Sequence, residues 1–502
     1  MEEKVYENIA ISSFWNFFMV LFARLGGLIF VIIVARFLLP EGFGIYNLAI
    51  SIALILLVTI DNGINQSLLR YVAESIGNKN KKLASAESKY LLRLKVFFTL
   101  FLAIVLILLS YPLSYYLFNK PDLFIPLMFV SLYLISYSLG SFYNSYFYII
   151  EKVEYLTIKQ FLFEIIRILG VILVFLFIAK KYHIIGTMGV LASSMFLTTI
   201  FLIYHLKRLA PFLFEKTEEH VDKKRIFHFF IYLGMIGSFL VIFGYIDIIM
   251  VGIFLESSYV GFYSAAFALV AGIWSFLNIY NILLPIFTKM NKHDLQESLN
   301  YVFKYLYILA VPAIFGIFVL GRYLIKLIYG NEYLPAVFPF YILSVLILIT
   351  PLASIIESLF SAKEKPKYIV KVIILSTFLG ILLNYLFITL FLKISSNMAL
   401  IGVAIATVIS QAVYLIGLLI YTKKELKITL NPTHLIKPIL ASSIMALVLF
   451  SINTQIGLNP FTGTLEVLFG AFIYFSAMLL FKGLEKKDLH LLKKIIKDLR
   501  SK

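Results

Sequence analysis

The sequence predicts an all-α polytopic membrane protein with fourteen transmembrane helices, arranged as two duplicated six-helix bundles plus two additional C-terminal helices. Composition is the first observation that predicts this fold. Of 502 residues, 61% are hydrophobic and only 14% are charged, whereas soluble domains carry roughly a quarter of charged residues. The second observation is an internal repeat, which indicates two copies of one structural unit.

The repeat is clearest in a Gly-x-Tyr-x-x-Ala pattern that begins at Gly44 and recurs at Gly261, an offset of 217 residues. Three further echoes follow in the same order at similar offsets, and they begin at Glu151 and Glu364, Gly170 and Gly380, and Ile185 and Ile401. Repeated order at a nearly constant offset indicates an internal duplication.

Apolar runs of membrane-spanning length occur at 9–39, 43–60, 91–112, 122–150, 160–179 and 184–205, then at 227–254, 259–287, 301–321, 334–360, 368–392 and 397–421, and finally at 435–452 and 462–482. They predict an N-terminal bundle (1–205), a cytoplasmic linker (206–226), a C-terminal bundle (227–421), two additional helices (422–482) and a basic amphipathic tail (483–502). Each half has an even number of spans, so both halves enter the membrane in the same orientation. The tail is either an interfacial helix on the inner leaflet or a solvated segment.

The distribution of Lys and Arg predicts that both termini are cytoplasmic. With the N-terminus inside, 35 of the 44 Lys and Arg residues lie on the cytoplasmic side and 6 on the outer side. This asymmetry is a positive-inside signal. It accounts for the net charge of +17, and we therefore expect no nucleic-acid partner.

Several classes of protein are excluded by absent features. The chain has no cysteine, which excludes disulfides and thiol chemistry. It contains no phosphate-binding G-x-x-x-x-G-K-[ST] motif, no paired histidines with metal-ligand spacing and no nucleophile elbow. We expect neither an enzyme nor a metal site. The start of the chain is too acidic, and its first apolar run too long, for a cleavable signal peptide.

Arg24 is the most informative charge within a span, because it lies near the middle of the first apolar run beside Gly26 and Gly27. A charge at that depth needs a polar cavity or a partner. A guanidinium presents a planar fork of donors that suits a phosphate or pyrophosphate. The alternative is a structural ion pair that holds the first span to its neighbour.

Asp61, Asn62 and Gly63 admit two interpretations. The second span either continues past Asp61, which makes this segment a helix break within the membrane, or it ends at Ile60 with Asp61 capping the next helix. Arg70 and Glu74 lie one turn apart near the cytoplasmic mouth in both cases.

Four further charges within predicted spans are candidate functional groups. Glu164 and Arg167 can pair along one helix face, or Arg167 can contact a substrate phosphate. Asp247 and Glu357 stand alone among apolar neighbours, so each is either a proton or cation site or the partner of an arginine in the other half.

The chain resembles the polysaccharide flippases of the multidrug/oligosaccharidyl-lipid/polysaccharide exporter superfamily. The resemblance rests on A-R-x-L-x-P-E-x-F-G-x-Y at 35–46, D-x-G at 61–63 with L-R-Y at 69–71, V-G-x-Y-x-x-A at 260–266 after Asp247, and L-x-Y-G-x-x-Y-x-x-A at 327–336. It implies two six-helix bundles around a central cavity and the export of lipid-linked oligosaccharides by alternating access. Lipid II flippases of the superfamily carry a functional arginine in the first span, and Arg24 matches it. The chain has fewer cavity arginines than those proteins, which argues against lipid II.

The resemblance and the charges together predict a multi-pass flippase of the cell membrane for polyprenyl (pyro)phosphate glycans. Its expected partners are the lipid-linked glycan, membrane lipids and the polymerase or glycosyltransferases of the pathway. Arg24, Arg70 and Arg167 are candidates for the substrate phosphate. The candidates for cavity or ion-coupling groups are Asp61, Glu164, Asp247 and Glu357. No cofactor is expected, and H⁺, Na⁺ or the membrane potential can drive transport. Alternatives are a cation-coupled multidrug antiporter, which needs a carboxylate-dominated cavity, a lipid II flippase, and a glycosyltransferase or polymerase, which needs a longer outer loop.

Overall fold

The computed structural model describes residues 2–215, 217, 219–429, 432–453 and 460–483, and the regular structure of these residues is entirely helical. Its α-helices are α1 (Glu2–Ser67), α2 (Ala73–Gly77), α3 (Lys81–Pro112), α4 (Phe124–Ile149), α5 (Val153–Phe177), α6 (His183–Leu209), α7 (Lys223–Phe254), α8 (Ser257–Leu277), α9 (Tyr280–Lys289), α10 (Lys292–Tyr329), α11 (Val337–Leu343), α12 (Leu346–Ala362), α13 (Lys367–Leu392), α14 (Ser396–Tyr421), α15 (Ile436–Asn453) and α16 (Pro460–Leu480). The predicted tail beyond residue 483 lies outside the described residues.

The described helices confirm a multi-pass membrane protein. Twelve of them are long and apolar enough to cross a bilayer, and the segments Asn331–Leu343 and Leu346–Ala362, bent by 46°, add a thirteenth when taken as one span. The apolar part of α1, Phe14–Val58, is 45 residues long. At about 1.5 Å per residue it measures roughly twice the hydrocarbon thickness of a bilayer.

A local break divides α1 into two parts. Leu39 has φ 59° and ψ 172°, a backbone conformation that is rare for residues other than glycine. It directly precedes Pro40, whose ring disfavours helical geometry in the preceding residue and which donates no amide hydrogen bond. The break therefore falls between the first and second apolar runs, where the sequence predicts a short connection.

Of the two interpretations of residues 61–63, the continuation of the second span past Asp61 is confirmed, but neither a helix break there nor a helix end at Ile60 is found. Helix α1 continues without interruption through this segment to Ser67 and then into a π-helical turn at Leu68–Val72, so it neither breaks nor ends at Asp61. A Cβ atom at Gly63 would overlap the carbonyl oxygen of Phe230 in α7. The glycine is therefore required for the close approach of two helices rather than for a break.

The chain forms two compact units. The first comprises the residues up to Ala268 together with Thr377–Val403, and the second comprises Leu269–Ser376 and the residues from Ala404 onward. In the first unit, α1 packs against α5 and α7, and α4 packs against α6. In the second, α10 packs against α15, and α12 packs against α9.

Within the first unit the two copies of the repeated glycine motif pack against each other reciprocally. A Cβ atom at Gly44 would overlap the carbonyl oxygen of Ser257, and a Cβ atom at Gly261 would overlap the carbonyl oxygen of Pro40. Ser257 and Pro40 are separated by the same 217 residues as the two glycines. An exchange of equivalent contacts is the arrangement expected when two repeats are related by a pseudo-two-fold axis.

We predict that Gly44→Ala and Gly261→Ala each destabilise the protein by about 2–3 kcal/mol or more, because the added methyl group meets backbone that cannot rotate away. Gly244→Ala in α7 is the control, because a Cβ atom there meets no described residue within 4 Å. Thermal unfolding in detergent, followed by intrinsic fluorescence, measures the effect. Equal melting temperatures for Gly44→Ala and Gly244→Ala would contradict the close approach.

Candidate functional site

Arg24 is half-buried in the first part of α1, and helix α5 packs against α1. Two glycines beside it permit this packing. A Cβ atom at Gly26 would overlap the carboxylate of Glu164, and a Cβ atom at Gly27 would lie 3.5 Å from Nη2 of Arg167. The structure therefore places the Glu164–Arg167 pair of α5 directly on the backbone next to Arg24, which groups three of the predicted site residues.

The predicted pairing of Glu164 with Arg167 is confirmed. Nη2 and Nε of Arg167 lie 2.5 Å and 2.7 Å from Oε2 of Glu164, and Gln160 donates to Oε1 at 2.7 Å. The guanidinium also lies over the rings of Phe30 and Phe163, at 4.7 and 4.8 Å. These contacts fix both side chains, since an arginine held by a carboxylate and two aromatic faces has little remaining freedom.

Lys159 adds a positive charge to the same helix. The prediction assigned it to a cytoplasmic loop, but it lies within α5 and is only 4% exposed. Its Nζ donates to Sδ of Met195 at 3.8 Å and lies 5.4 Å from the centre of the Phe163 ring. Lys159 and Arg167, set against Glu164, leave one positive charge in excess among these three residues of α5, and Arg24 lies on the part of α1 that packs against them.

Asp61 lies in a separate buried cluster of the first unit, and its main partner is a lysine. Nζ of Lys95 in α3 lies 2.5 Å from Oδ1 of Asp61, and the two side chains are 0% and 6% exposed. Ser138 donates to the same oxygen at 2.9 Å, Ser141 donates to Oδ2, and Lys95 also donates to Oδ1 of Asn65 at 3.1 Å. The negative charge of Asp61 is therefore neutralised by the ammonium group of Lys95.

Asp247 in α7 is bound by neutral donors from two other helices of the first unit. The hydroxyl of Tyr263 donates to Oδ2 at 3.1 Å, and Nδ2 of Asn384 in α13 donates to Oδ1 at 2.8 Å. Oδ1 of Asn384 is buried and accepts no hydrogen bond from the described residues. A buried carboxylate beside a buried acceptor without a donor is an environment that suits a cation or a proton.

The remaining predicted residues are not part of these clusters. Glu357, in the second unit, accepts a hydrogen bond from the hydroxyl of Tyr414 at 2.7 Å. Arg70 is exposed and lies 4.7 Å from the centre of the Phe229 ring. Its neighbour Glu74 pairs with Arg225, with 3.7 Å between Oε2 and Nη2.

A cavity of about 460 Å³ in the first unit lies between residues 118–122 and 253–258, with Glu41 at its edge. Lys120 in its wall donates to the carbonyl oxygens of Gly252 and Leu255, at 2.5 and 2.7 Å, and so caps the end of α7. Burial lowers the pKa of Lys120, and the nearby Glu256 acts in the opposite direction. No predicted site residue lines this cavity.

Lys95 and Lys159 are buried charges that were not among the candidates predicted from the sequence, because each lies where an apolar run begins. A signal was available in the spacing. Lys95 stands four residues after Leu91 and four before Thr99, and both neighbours are buried. A lysine four residues from each of two buried neighbours lies on the same helix face as they do and is therefore a candidate buried charge.

A sequence model of the family described as polysaccharide biosynthesis protein matches residues 9–291 of this chain. A curated relative, the "probable low-salt glycan biosynthesis flippase Agl15" of Haloferax volcanii, is 24% identical over 250 residues, or 49% of this chain. The matched region spans about half the length of that relative, 52%.

Solved structures show the same fold. The lipid II flippase MurJ in an inward closed conformation gives a TM-score of 0.76 at 17% identity, covering 94% of this chain and 98% of its own. An inward-facing multidrug resistance transporter of the MATE family gives 0.64 at 14% identity, covering 80% and 95%. At these identities the likeness concerns the fold alone.

Proposed function

Because the chain belongs to the polysaccharide biosynthesis protein family, we propose that it is a flippase of the cell membrane. It carries a lipid-linked oligosaccharide on a polyprenyl (pyro)phosphate from the inner to the outer leaflet by alternating access. The name of the Haloferax relative supports a glycan cargo. The fold shared with transporters supports a transport function rather than an enzymatic one.

The observation that carries the proposal is the positive cluster at the α1–α5 contact. Charges inside apolar helices are costly and mark the path of a substrate or an ion. With Glu164 already bound to Arg167 and Gln160, the surplus of positive charge suits an anionic cargo. In this assignment the guanidinium of Arg24 binds the (pyro)phosphate, and Arg167 and Lys159 make the surroundings favourable for it.

The same cluster argues against a multidrug antiporter for cationic drugs. Such a transporter needs carboxylates that face its cargo. In the α1–α5 cluster the carboxylate of Glu164 is bound by Arg167 at 2.5 Å, and in the second buried cluster Asp61 is bound by Lys95 at 2.5 Å. An organic cation would have to displace Arg167 from Glu164 or Lys95 from Asp61.

We further propose that the chain crosses the membrane fourteen times, with both termini cytoplasmic. This count follows when α1 crosses twice around the break at Leu39 and when the bent pair α11–α12 forms one span. The two crossings of α1 and the single spans α3, α4, α5 and α6 then form the bundle at 1–205. The bundle at 227–421 consists of α7, α8, α10, the pair α11–α12, α13 and α14. Helices α15 and α16 are the two additional spans.

Asp247 is our proposed site for the coupling ion. Tyr263 and Asn384 are neutral donors to its carboxylate, and the buried Oδ1 of Asn384 offers a second oxygen ligand. Binding of Na⁺ or H⁺ at this position would link the packing of α7, α8 and α13 to the ion gradient. The membrane potential adds about 2.3 kcal/mol per charge per 100 mV for an anion that moves outward.

Reconstitution into proteoliposomes tests the proposal. A fluorescent polyprenyl-pyrophosphate oligosaccharide is placed in both leaflets, and its exposure on one side is followed by a membrane-impermeant quencher. We expect translocation by the wild type above protein-free vesicles. Lipid II in place of the oligosaccharide tests the alternative cargo. Failure with both cargoes, combined with discharge of a cation gradient by amphipathic drugs, would favour an antiporter.

A further inference from the structure

The cluster around Asp61 has the composition of a cation-binding site. Asp61 provides a carboxylate, Asn65 an amide oxygen, and Ser138 and Ser141 hydroxyl oxygens, all on helices α1 and α4. Oxygen ligands of this kind are preferred by hard cations. The ammonium of Lys95 reaches from α3 into this set, 2.5 Å from Asp61, 3.1 Å from Asn65 and 3.4 Å from Ser141.

The second half of the chain has no charge at the two positions that match Asp61 and Lys95. Asn278 stands at the position that matches Asp61, and Pro312 stands at the position that matches Lys95, both at an offset of 217 residues. Ser354 donates to Oδ1 of Asn278 at 3.3 Å, as Ser138 donates to Asp61. The matching position is thus polar but uncharged, and its setting differs, because Asn278 is exposed between α8 and α9 whereas Asp61 is buried within α1.

Each charge of the pair does require the other. A carboxylate buried to this extent without a counter-charge is strongly destabilising, and removal of one member of a buried pair typically costs 3–5 kcal/mol. The Tyr137 hydroxyl is a further titratable group close to Asp61. Among the described residues, Lys95 forms its ion pair with Asp61 alone.

We propose that Asp61, Asn65, Ser138 and Ser141 form a monovalent-cation site whose cation is the tethered ammonium of Lys95. The first half is thereby held permanently in a cation-bound state. Removal of the ammonium exposes the oxygen ligands and makes the site bind Na⁺. Of the two buried aspartates of the first unit, Asp247 is then the one at which a cation from solution acts. This inference goes beyond the proposed function and does not depend on the cargo.

The test compares thermal unfolding in NaCl with unfolding in choline chloride at equal concentration, since choline is too large for the site. In choline chloride we expect Lys95→Ala to have a lower melting temperature than the wild type. In NaCl we expect its melting temperature to rise by at least ~2 °C more than that of the wild type, because Na⁺ binds the folded state. Equilibrium binding of radioactive sodium should show about one additional ion per chain.

Two further variants make the result specific. Lys159→Ala removes another buried lysine, one whose Nζ donates to a methionine sulfur, and should gain no sodium response. The double variant Asp61→Asn with Lys95→Met removes both charges of the buried pair together and should fold without a sodium response.

Three outcomes would overturn the proposal. The first is an equal response of Lys95→Ala to both salts. The second is an equal sodium response in Lys159→Ala. The third is a folded double variant together with a Lys95→Ala variant that remains unfolded even in NaCl.

Discussion

Replacement of Arg24 by alanine is expected to lower the initial rate of lipid-linked oligosaccharide translocation about 100-fold. The guanidinium is the proposed phosphate ligand, and hydrogen bonds to charged groups contribute roughly 1.5–3 kcal/mol each. Loss of about 3 kcal/mol of binding at a phosphate corresponds to two orders of magnitude. The measurement is the quencher assay in proteoliposomes at limiting cargo.

Arg24→Lys separates charge from geometry. Lysine keeps the positive charge but lacks the planar fork, so we expect an intermediate loss of about tenfold. Full activity in Arg24→Lys would show that the positive charge alone suffices and that the planar fork of guanidinium donors is not needed for phosphate binding. Arg208→Ala is the matched control, because Arg208 is an exposed arginine that stacks on Tyr204 at 4.4 Å, and it should keep the wild-type rate. Unchanged translocation in a folded Arg24→Ala would contradict the phosphate role.

Asp247→Asn is expected to abolish the acceleration of translocation by an imposed cation gradient, a loss of at least about tenfold where the wild type responds. The substitution keeps the size of the side chain and its capacity to accept from Tyr263, but it removes the charge that holds Na⁺ or H⁺. The measurement compares translocation with and without a Na⁺ gradient at fixed pH, and then with and without a pH gradient in the absence of Na⁺. The two series identify the coupling ion.

Glu357→Gln is the control for this experiment, because Glu357 is the other predicted ion-coupling carboxylate and is bound by Tyr414 in the second unit. We expect it to keep the gradient response. Loss of the response in Glu357→Gln together with its retention in Asp247→Asn would move the coupling site to the second unit. Retention of the response in both variants would place the coupling ion at another residue, and a wild type that responds to neither gradient would favour the membrane potential as the driving force.

Prediction from the sequence succeeded best where the signal was repeated many times along the chain. Long apolar runs and the low charge content predict a helical multi-pass protein, because a bilayer leaves few alternatives for a polar backbone. The pairing of Glu164 with Arg167 was also predictable, since residues three apart share a helix face. The alternatives for Asp61 could not be resolved, because its partners Lys95, Ser138 and Ser141 are distant in the chain.

The sequence by itself determined the membrane-embedded helical class, the internal duplication and the presence of an arginine deep in the first span. These follow from composition, order and local spacing. Only the tertiary structure decided that Gly63 serves helix packing, that the two glycine motifs contact each other, and that Lys95 neutralises Asp61. The physical reason is that a buried charge is stabilised by groups on other helices, and these groups are distant in the sequence, so the residues next to the charge do not reveal them.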